Sequence, residues 1–162
     1  MSSQHFGRGA VLKCLFPYID RPTEAGPDPH YCLYVDDLVH NGCQYVAGCY
    51  GTSRLDEGTL DAHSGAVLSV DNDYIRARMP GRVTHFVCDH VAVIPIEWVY
   101  GDFHARLDFI RERSRMKDQR RQRLYAQFEA IEEAMERAAH EAVRYLLEAG
   151  VPGLPPGKQL RK

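Results

Sequence analysis

The 162-residue chain has no long hydrophobic run and no excess of positive charge. No apolar stretch approaches the roughly 18 residues that a membrane-spanning helix needs, so we expect no membrane segment. The formal net charge of −2 excludes a global basic field, and only a local patch could attract nucleic acid. The first residues, Met1 to Arg8, have no apolar core, so we also expect no signal peptide.

The chain also lacks any CxxC pair, and its five cysteines are an odd number. Four of them lie in apolar, strand-like runs, which predicts buried, reduced thiols and a cytoplasmic protein. The densest His/Cys cluster is Cys88-Asp89-His90 with His85 nearby. Neighbouring strand residues point to opposite faces and make poor joint ligands, so we expect no metal and no cofactor.

The first two thirds of the chain contain short apolar segments separated by turn signals. Asn41-Gly42 is a strong hairpin signal because both residues tolerate positive φ. A loop with several prolines spans 17–29. The predicted strands are 9–16, 30–39, 43–51, 66–70, 83–87 and 91–94, the last two being either separate or one continuous strand. The pattern predicts a mainly β fold, as a compact barrel or a sandwich.

From about residue 103 to 149 the chain has no proline and no glycine, and it is dominated by helix formers. We therefore predict a β domain over 8–102, a C-terminal helical extension over 103–149 and a flexible tail over 150–162, an α+β arrangement. The helix carries an apolar stripe that needs covering by its own domain, by a second copy or by a partner protein. We expect a homodimer. The stripe comprises Leu124, Phe128, Ile131, Met135, Ala138 and Ala142.

One local run is strongly basic. It is typical of a helix face that binds a phosphate backbone, although a solvated surface would have the same composition. No aromatic residue within the run could stack on bases. The candidate nucleic-acid-binding residues are Arg111, Arg113, Arg115, Lys117, Arg120, Arg121 and Arg123.

Four segments of the β domain resemble the MazF/PemK family of toxin endoribonucleases. Gly9-Ala10-Val11 resembles the family's opening strand, and His30 to Val35 falls where an Arg-Pro strand would fall. Thr52-Ser53 matches the Thr-Ser that ends a strand, and Val91 to Pro95 followed by Trp98 resembles the last strand. The similarity covers roughly residues 8–110.

The resemblance implies a small SH3-like barrel, usually homodimeric, that cuts single-stranded RNA without a metal and pairs with an antitoxin-like protein. It assigns Thr52 to the scissile phosphate. The family's second-strand arginine does not carry over, because His30 stands there, and Ala10 replaces an acidic residue. Histidine can transfer protons near neutral pH but lacks the bidentate fork of arginine. Arg21 or Arg54 could supply the cation.

Two hypotheses follow. The first is an endoribonuclease whose catalytic residues are His30, Thr52, Ser53, Arg54 and Arg21, with single-stranded RNA as its partner. The second is a degenerate, catalytically inactive member of a mobile element that binds protein or nucleic acid. A weaker third is a DNA-binding regulator that acts through 111–123. We expect the enzyme to require that His30 and Thr52 share one concave site.

Overall fold

The computed structural model describes residues 9–54, 66–71, 83–106 and 119–155. Within them the chain forms one antiparallel sheet and one long helix, which confirms the mainly β, α+β prediction. The strands are β1 Ala10–Cys14, β2 His30–His40, β3 Cys43–Thr52, β4 Val67–Asp71, β5 Val83–Pro95 and β6 Val99–Arg106. A 3-10 helix spans Ile96–Trp98, and α1 spans Gln119–Ala149.

The six strands are hydrogen-bonded in the order β4-β5-β3-β2-β1-β6. The β2–β3 hairpin turns at Asn41 and Gly42, whose φ angles of 51° and 77° are those of a type I′ turn, as predicted. β4 and β6 form the two edges and do not pair with each other in the described residues. A closed barrel is therefore not part of the described fold.

The predicted boundaries differ from the observed ones in β5 and β6. β5 runs unbroken from Val83 to Pro95, so the two predicted segments are one strand. The helical extension was predicted to begin at 103, but β6 continues to Arg106 and pairs with β1. Pairing along β1 outweighs local composition here because strand preference depends mainly on neighbours.

Register shifts in the β1–β6, β2–β3 and β3–β5 pairs bend the sheet. Side chains alternate along each strand, so the sheet has two buried faces. One face, which we call the helix-covered face, includes Val11, Leu33, Val35, Ala47, Cys49, Phe86, Cys88, Val91 and Val93. The other, which we call the opposite face, includes Ala10, Leu12, Cys14, Cys32, Tyr34, Val46, Ala92 and Ile94.

The helix buries its apolar stripe on the sheet of its own chain. Ile131, Met135 and Ala142 are at most 2% exposed and share one cluster with the helix-covered face. This part of the stripe is therefore not a free seam for a second copy. The side chains of Leu124 and Phe128 lie outside the described residues, and homodimerisation stays a prediction.

The C-terminal segment returns to the sheet instead of leaving it as a tail. Gly153 exchanges two backbone hydrogen bonds with Val93, of 2.8 and 3.1 Å, and Leu154 donates its N–H to the Pro22 carbonyl at 2.9 Å. Leu154 is buried among residues of the opposite face, beside Phe16. The segment thus ties the 17–29 loop to β5. Residues 156–162 of the predicted flexible tail lie outside the described residues.

Candidate functional site

A row of polar side chains crosses four strands at one end of the opposite face. Ser69 pairs with His85, and His85 pairs with Thr52 on its other side. The β2–β3 register pairs Cys32 with Tyr50, and two residues further it sets His30 level with Thr52. Directly opposed residues of antiparallel strands share a face. Ser69, His85, Thr52 and His30 therefore lie side by side, and we call them the polar row.

The row begins where the apolar surface of the face ends. Tyr50 precedes Thr52 by two residues on the same face, and its ring lies 5.2 Å from both His30 and Phe16 and 5.7 Å from His90, measured between ring centroids. His90 is 3% exposed, whereas Ser69 is exposed and the other three members of the row are half-buried. A packed aromatic floor thus lies beneath a row whose exposure increases from His30 to Ser69.

The hydrogen-bond pattern around the His30 imidazole favours one tautomer. It bonds to the backbone carbonyl of Gly51, and its Nε2 is buried with no hydrogen-bond partner. Nδ1 is therefore the nitrogen that donates to Gly51, and Nε2 carries the lone pair. Burial lowers the pKa of His30 below its ordinary value, and the Gly51 carbonyl and the Asp28 carboxylate partly oppose this shift. The site thus favours a neutral imidazole that can accept a proton.

The Thr52 hydroxyl closes the turn that ends β3. It donates to the Arg54 carbonyl at 2.9 Å and accepts from the Arg54 N–H at 3.1 Å. Ser53 and Arg54 are exposed at this turn. For Thr52 to contact a phosphate, its single proton must rotate away from the Arg54 carbonyl.

The 17–29 loop contains Arg21 and places the Tyr18 ring near His30. Arg21 donates its backbone N–H to the Tyr18 carbonyl at 3.0 Å, and the Tyr18 ring lies 6.2 Å from His30, edge on. Gly26 donates its N–H to the Leu15 carbonyl at 3.3 Å, and a side chain at position 26 would overlap the Phe16 carbonyl. A cavity of about 230 Å³ within the loop is lined by Tyr18, Asp20, Arg21, Ala25, Gly26 and Pro27.

The Tyr18 side chain is one part of this loop that lies beside the imidazole. It is 36% exposed and its hydroxyl donates to Asp28 at 3.3 Å. Its own desolvation, and secondly the Asp28 carboxylate, raise the pKa of Tyr18. Backbone hydrogen bonds join the loop to Leu15 through Gly26 and to Leu154 through Pro22.

The side chains of the basic run, 111–123, lie outside the described residues. Arg111, Arg113, Arg115 and Lys117 lie outside the described residues. Arg120, Arg121 and Arg123 belong to the first turns of α1, and their side chains are likewise outside the described part. Their role in nucleic-acid binding stays a prediction.

The sequence did not reveal Ser69, His85, Tyr18 and Tyr50 as parts of one site. The sequence pattern indicates His85 only as a candidate metal ligand and assigns no role to Ser69. Their one signal is polarity at alternate positions of short strands, but the partner of each strand cannot be read from that pattern. Register alone brings Ser69 and His85 within 2.7 Å, measured from Oγ to Nδ1.

The described residues contain no group of three or more His, Cys, Asp or Glu side chains able to hold a metal ion. In the same ranges, no helix has the length and apolarity that would let it span a membrane. No protein-family model matches the chain. A search of curated protein sequences likewise finds no significant match. The arrangement itself offers two imidazoles and two hydroxyls on one face, with Arg54 two residues after Thr52, a set suited to proton transfer at an anionic ester.

Proposed function

We propose that this chain is an endoribonuclease that cleaves single-stranded RNA without a metal, with His30 as general base and Thr52 at the phosphate. The observation that carries the proposal is the His30 tautomer: Nδ1 is held by Gly51, so Nε2 has the lone pair that takes a proton from a ribose 2′-OH. A base of this kind contributes about 10²–10⁴-fold to the rate.

The neighbours of His30 support this role. Thr52 stands level with His30 on the same face, and the Arg54 N–H donates to its hydroxyl oxygen. When the hydroxyl proton turns from the Arg54 carbonyl to a phosphate oxygen, that N–H continues to orient the group. Arg21 and Arg54 supply the positive charge that the missing family arginine would have given.

RNA reaches His30 only after the 17–29 loop adjusts, since Nε2 is buried. Tyr18 is the side chain that moves, because it lies edge on to the imidazole at the exposed end of the loop. Once displaced, its ring offers a surface on which a base stacks. The cavity beside Arg21 is large enough for a phosphate or a single base.

The proposed architecture is an SH3-like barrel of the MazF/PemK type that forms a homodimer and accepts an antitoxin-like partner. Two observations support the barrel: both faces of the sheet are buried, and register shifts bend three of its strand pairs. A bent sheet curves around its opposite face, which Phe16 and Leu154 then help to cover.

The test is cleavage of a mixed-sequence, fluorophore-labelled single-stranded RNA in EDTA. We expect cleavage by the wild-type chain, a loss of about 10²–10⁴-fold in His30→Gln and a smaller loss in Thr52→Val. His140→Gln is the matched control, because His140 is exposed on α1. Circular dichroism melts confirm that all three variants fold. Wild-type activity in His30→Gln would refute the proposal.

A second candidate function is that of a catalytically inactive, binding member of the same fold. The engagement of the Thr52 hydroxyl by Arg54 in both directions favours it, as does histidine in place of arginine at position 30. No cleavage, together with RNA retardation that weakens with salt, would establish this alternative.

A further inference from the structure

The half of the polar row on β4 and β5 is not used by the proposed function. His85 and Thr52 are cross-strand partners, and His85 and Ser69 are partners on the other side. Neighbouring strands lie about 4.8 Å apart, so the backbones of His30 and His85 are about 10 Å apart with Thr52 between them. Two imidazoles therefore flank one hydroxyl on one face.

Ser69 determines which nitrogen of His85 faces the site. Its hydroxyl lies 2.7 Å from Nδ1, a short hydrogen bond from the edge strand β4. Because β4 and β3 lie on opposite sides of β5, this bond directs Nε2 away from β4. The imidazole is half-buried and thus both held and reachable.

We propose that His85 is the second proton-transfer residue of the site, the general acid opposite His30, and that Ser69 is its positioning residue. This assignment rests on the proposed ribonuclease function. It also explains how the chain can work without the family's second-strand arginine, since a pair of imidazoles replaces an arginine and a base.

The reaction then balances in one displacement. His30 Nε2 removes the 2′-OH proton, and the 2′-oxygen forms a bond to phosphorus. The bond from phosphorus to the 5′-oxygen breaks, its electron pair stays on that oxygen, and the oxygen takes a proton from His85 Nε2. The products are a 2′,3′-cyclic phosphate and a 5′-hydroxyl, with no change of oxidation state and no metal.

The test compares RNA cleavage and ligand binding in four variants. We expect His85→Gln to lose about 10²–10⁴-fold in kcat with little change in KM. Ser69→Ala should lower kcat by about 10–100-fold, which corresponds to the loss of one hydrogen bond to a charged group. Ser69→Thr should restore most of this kcat. His40→Gln, an imidazole at the far end of β2, is the control and should match the wild type.

Two NMR readouts accompany the kinetics. Ser69→Ala should alter the imidazole ¹⁵N shifts that report the His85 tautomer, and Ser69→Thr should restore them. Titration with 2′-O-methyl dinucleotides, which keep the phosphodiester but lack the attacking hydroxyl, should shift the imidazole signals of His85 and His30 together and leave His40 unmoved.

Failure of this inference differs from failure of the proposed function. If the wild type cleaves RNA and His85→Gln cleaves equally well, the acid is another group and only the inference is overturned. If the wild type does not cleave, the ribonuclease proposal fails. In that event, a dinucleotide that shifts His30 but not His85 also removes His85 from the site, whereas joint shifts retain it as a phosphodiester contact.

Discussion

The two faces of the sheet are built from the same six strands and differ in what closes them. The helix-covered face is closed by α1, whose Ile131, Met135 and Leu146 are at most 2% exposed. The opposite face is closed by loops and by the C-terminal segment, through Phe16 and Leu154. Within the described residues, the imidazoles of His30 and His85 lie at the end of this second face, beside the Thr52 hydroxyl. A rigid, fully packed face thus supports a reachable one, which is the arrangement that a precise site requires.

Cysteines fall on both faces, and their thiols are partners within each. Hydrogen bonding to Cys32, with burial, raises the pKa of Cys14 well above its ordinary value on the opposite face. Burial, with Cys88 as a neighbour, does the same to Cys49 on the helix-covered face. These four thiols are buried and free, as the sequence predicted, and Cys43 is exposed. They serve packing on both faces and do not distinguish the faces chemically.

The largest effect is expected from a charge placed in the helix-covered face. Met135→Asp removes a fully buried side chain and buries a carboxylate, at a cost of several kcal/mol that approaches the whole stability of a small domain. Leu147→Asp is the control, since Leu147 is 54% exposed on the same helix. Chemical denaturation should show a native transition for Leu147→Asp and a lost or greatly weakened one for Met135→Asp. Equal stability of the two would mean that α1 does not close this face.

The next effect concerns the segment that closes the opposite face. Gly153 has φ of +112°, and a side chain there would overlap the Pro22 carbonyl. Gly153→Ala should lower the free energy of unfolding by about 1–2 kcal/mol through the strained backbone conformation. The overlap should lower it by about 1–3 kcal/mol more.

Gly150→Ala separates the two costs of Gly153→Ala. Gly150 also has positive φ, +73°, but nothing lies within 4 Å of the added carbon. It should lose the conformational part alone. Urea unfolding measures both variants, and a Gly153→Ala no less stable than Gly150→Ala would show that Gly153 does not hold the 17–29 loop.

A smaller effect on stability is expected in the aromatic floor. Tyr50→Leu removes ring contacts with Phe16, His30 and His90, each worth about 0.5–1.5 kcal/mol beyond the area buried. Tyr50→Phe keeps the ring and is the control. The floor orients His30. In Tyr50→Leu, the loss of RNA cleavage, converted to a free energy, should therefore exceed the loss in free energy of unfolding. Equal losses of cleavage free energy and unfolding free energy would show that the floor has a structural role alone.

The contrast between the faces also explains what the sequence could predict. The hairpin at Asn41-Gly42, the apolar strands and the stripe around Met135 follow from local periodicity, so these elements were predicted. The pairing of Ser69 with His85 and of His85 with Thr52 depends on long-range register, with a bulge between Tyr50 and Cys49 that no local pattern indicates. His30 and Thr52 were identified through a family resemblance, and their positions level with each other follow from the β2–β3 register.

The smallest effect is a pH dependence that belongs to the opposite face alone. Burial holds the pKa of His30 below its ordinary value near 6.5, so the unfolded chain binds a proton before the folded one does. Both states are neutral above that value and the group contributes nothing to the slope there. Folding stability should therefore decline as pH falls below about 6.5, until the folded imidazole also becomes protonated. Half-exposure of the ring keeps the decline modest.

His30→Gln should flatten this part of the stability curve between pH 7.5 and 5, whereas His140→Gln, on the exposed side of α1, should keep the wild-type slope. Equal slopes in both variants would mean that His30 is not held in its neutral form, and would remove the base from the proposed reaction.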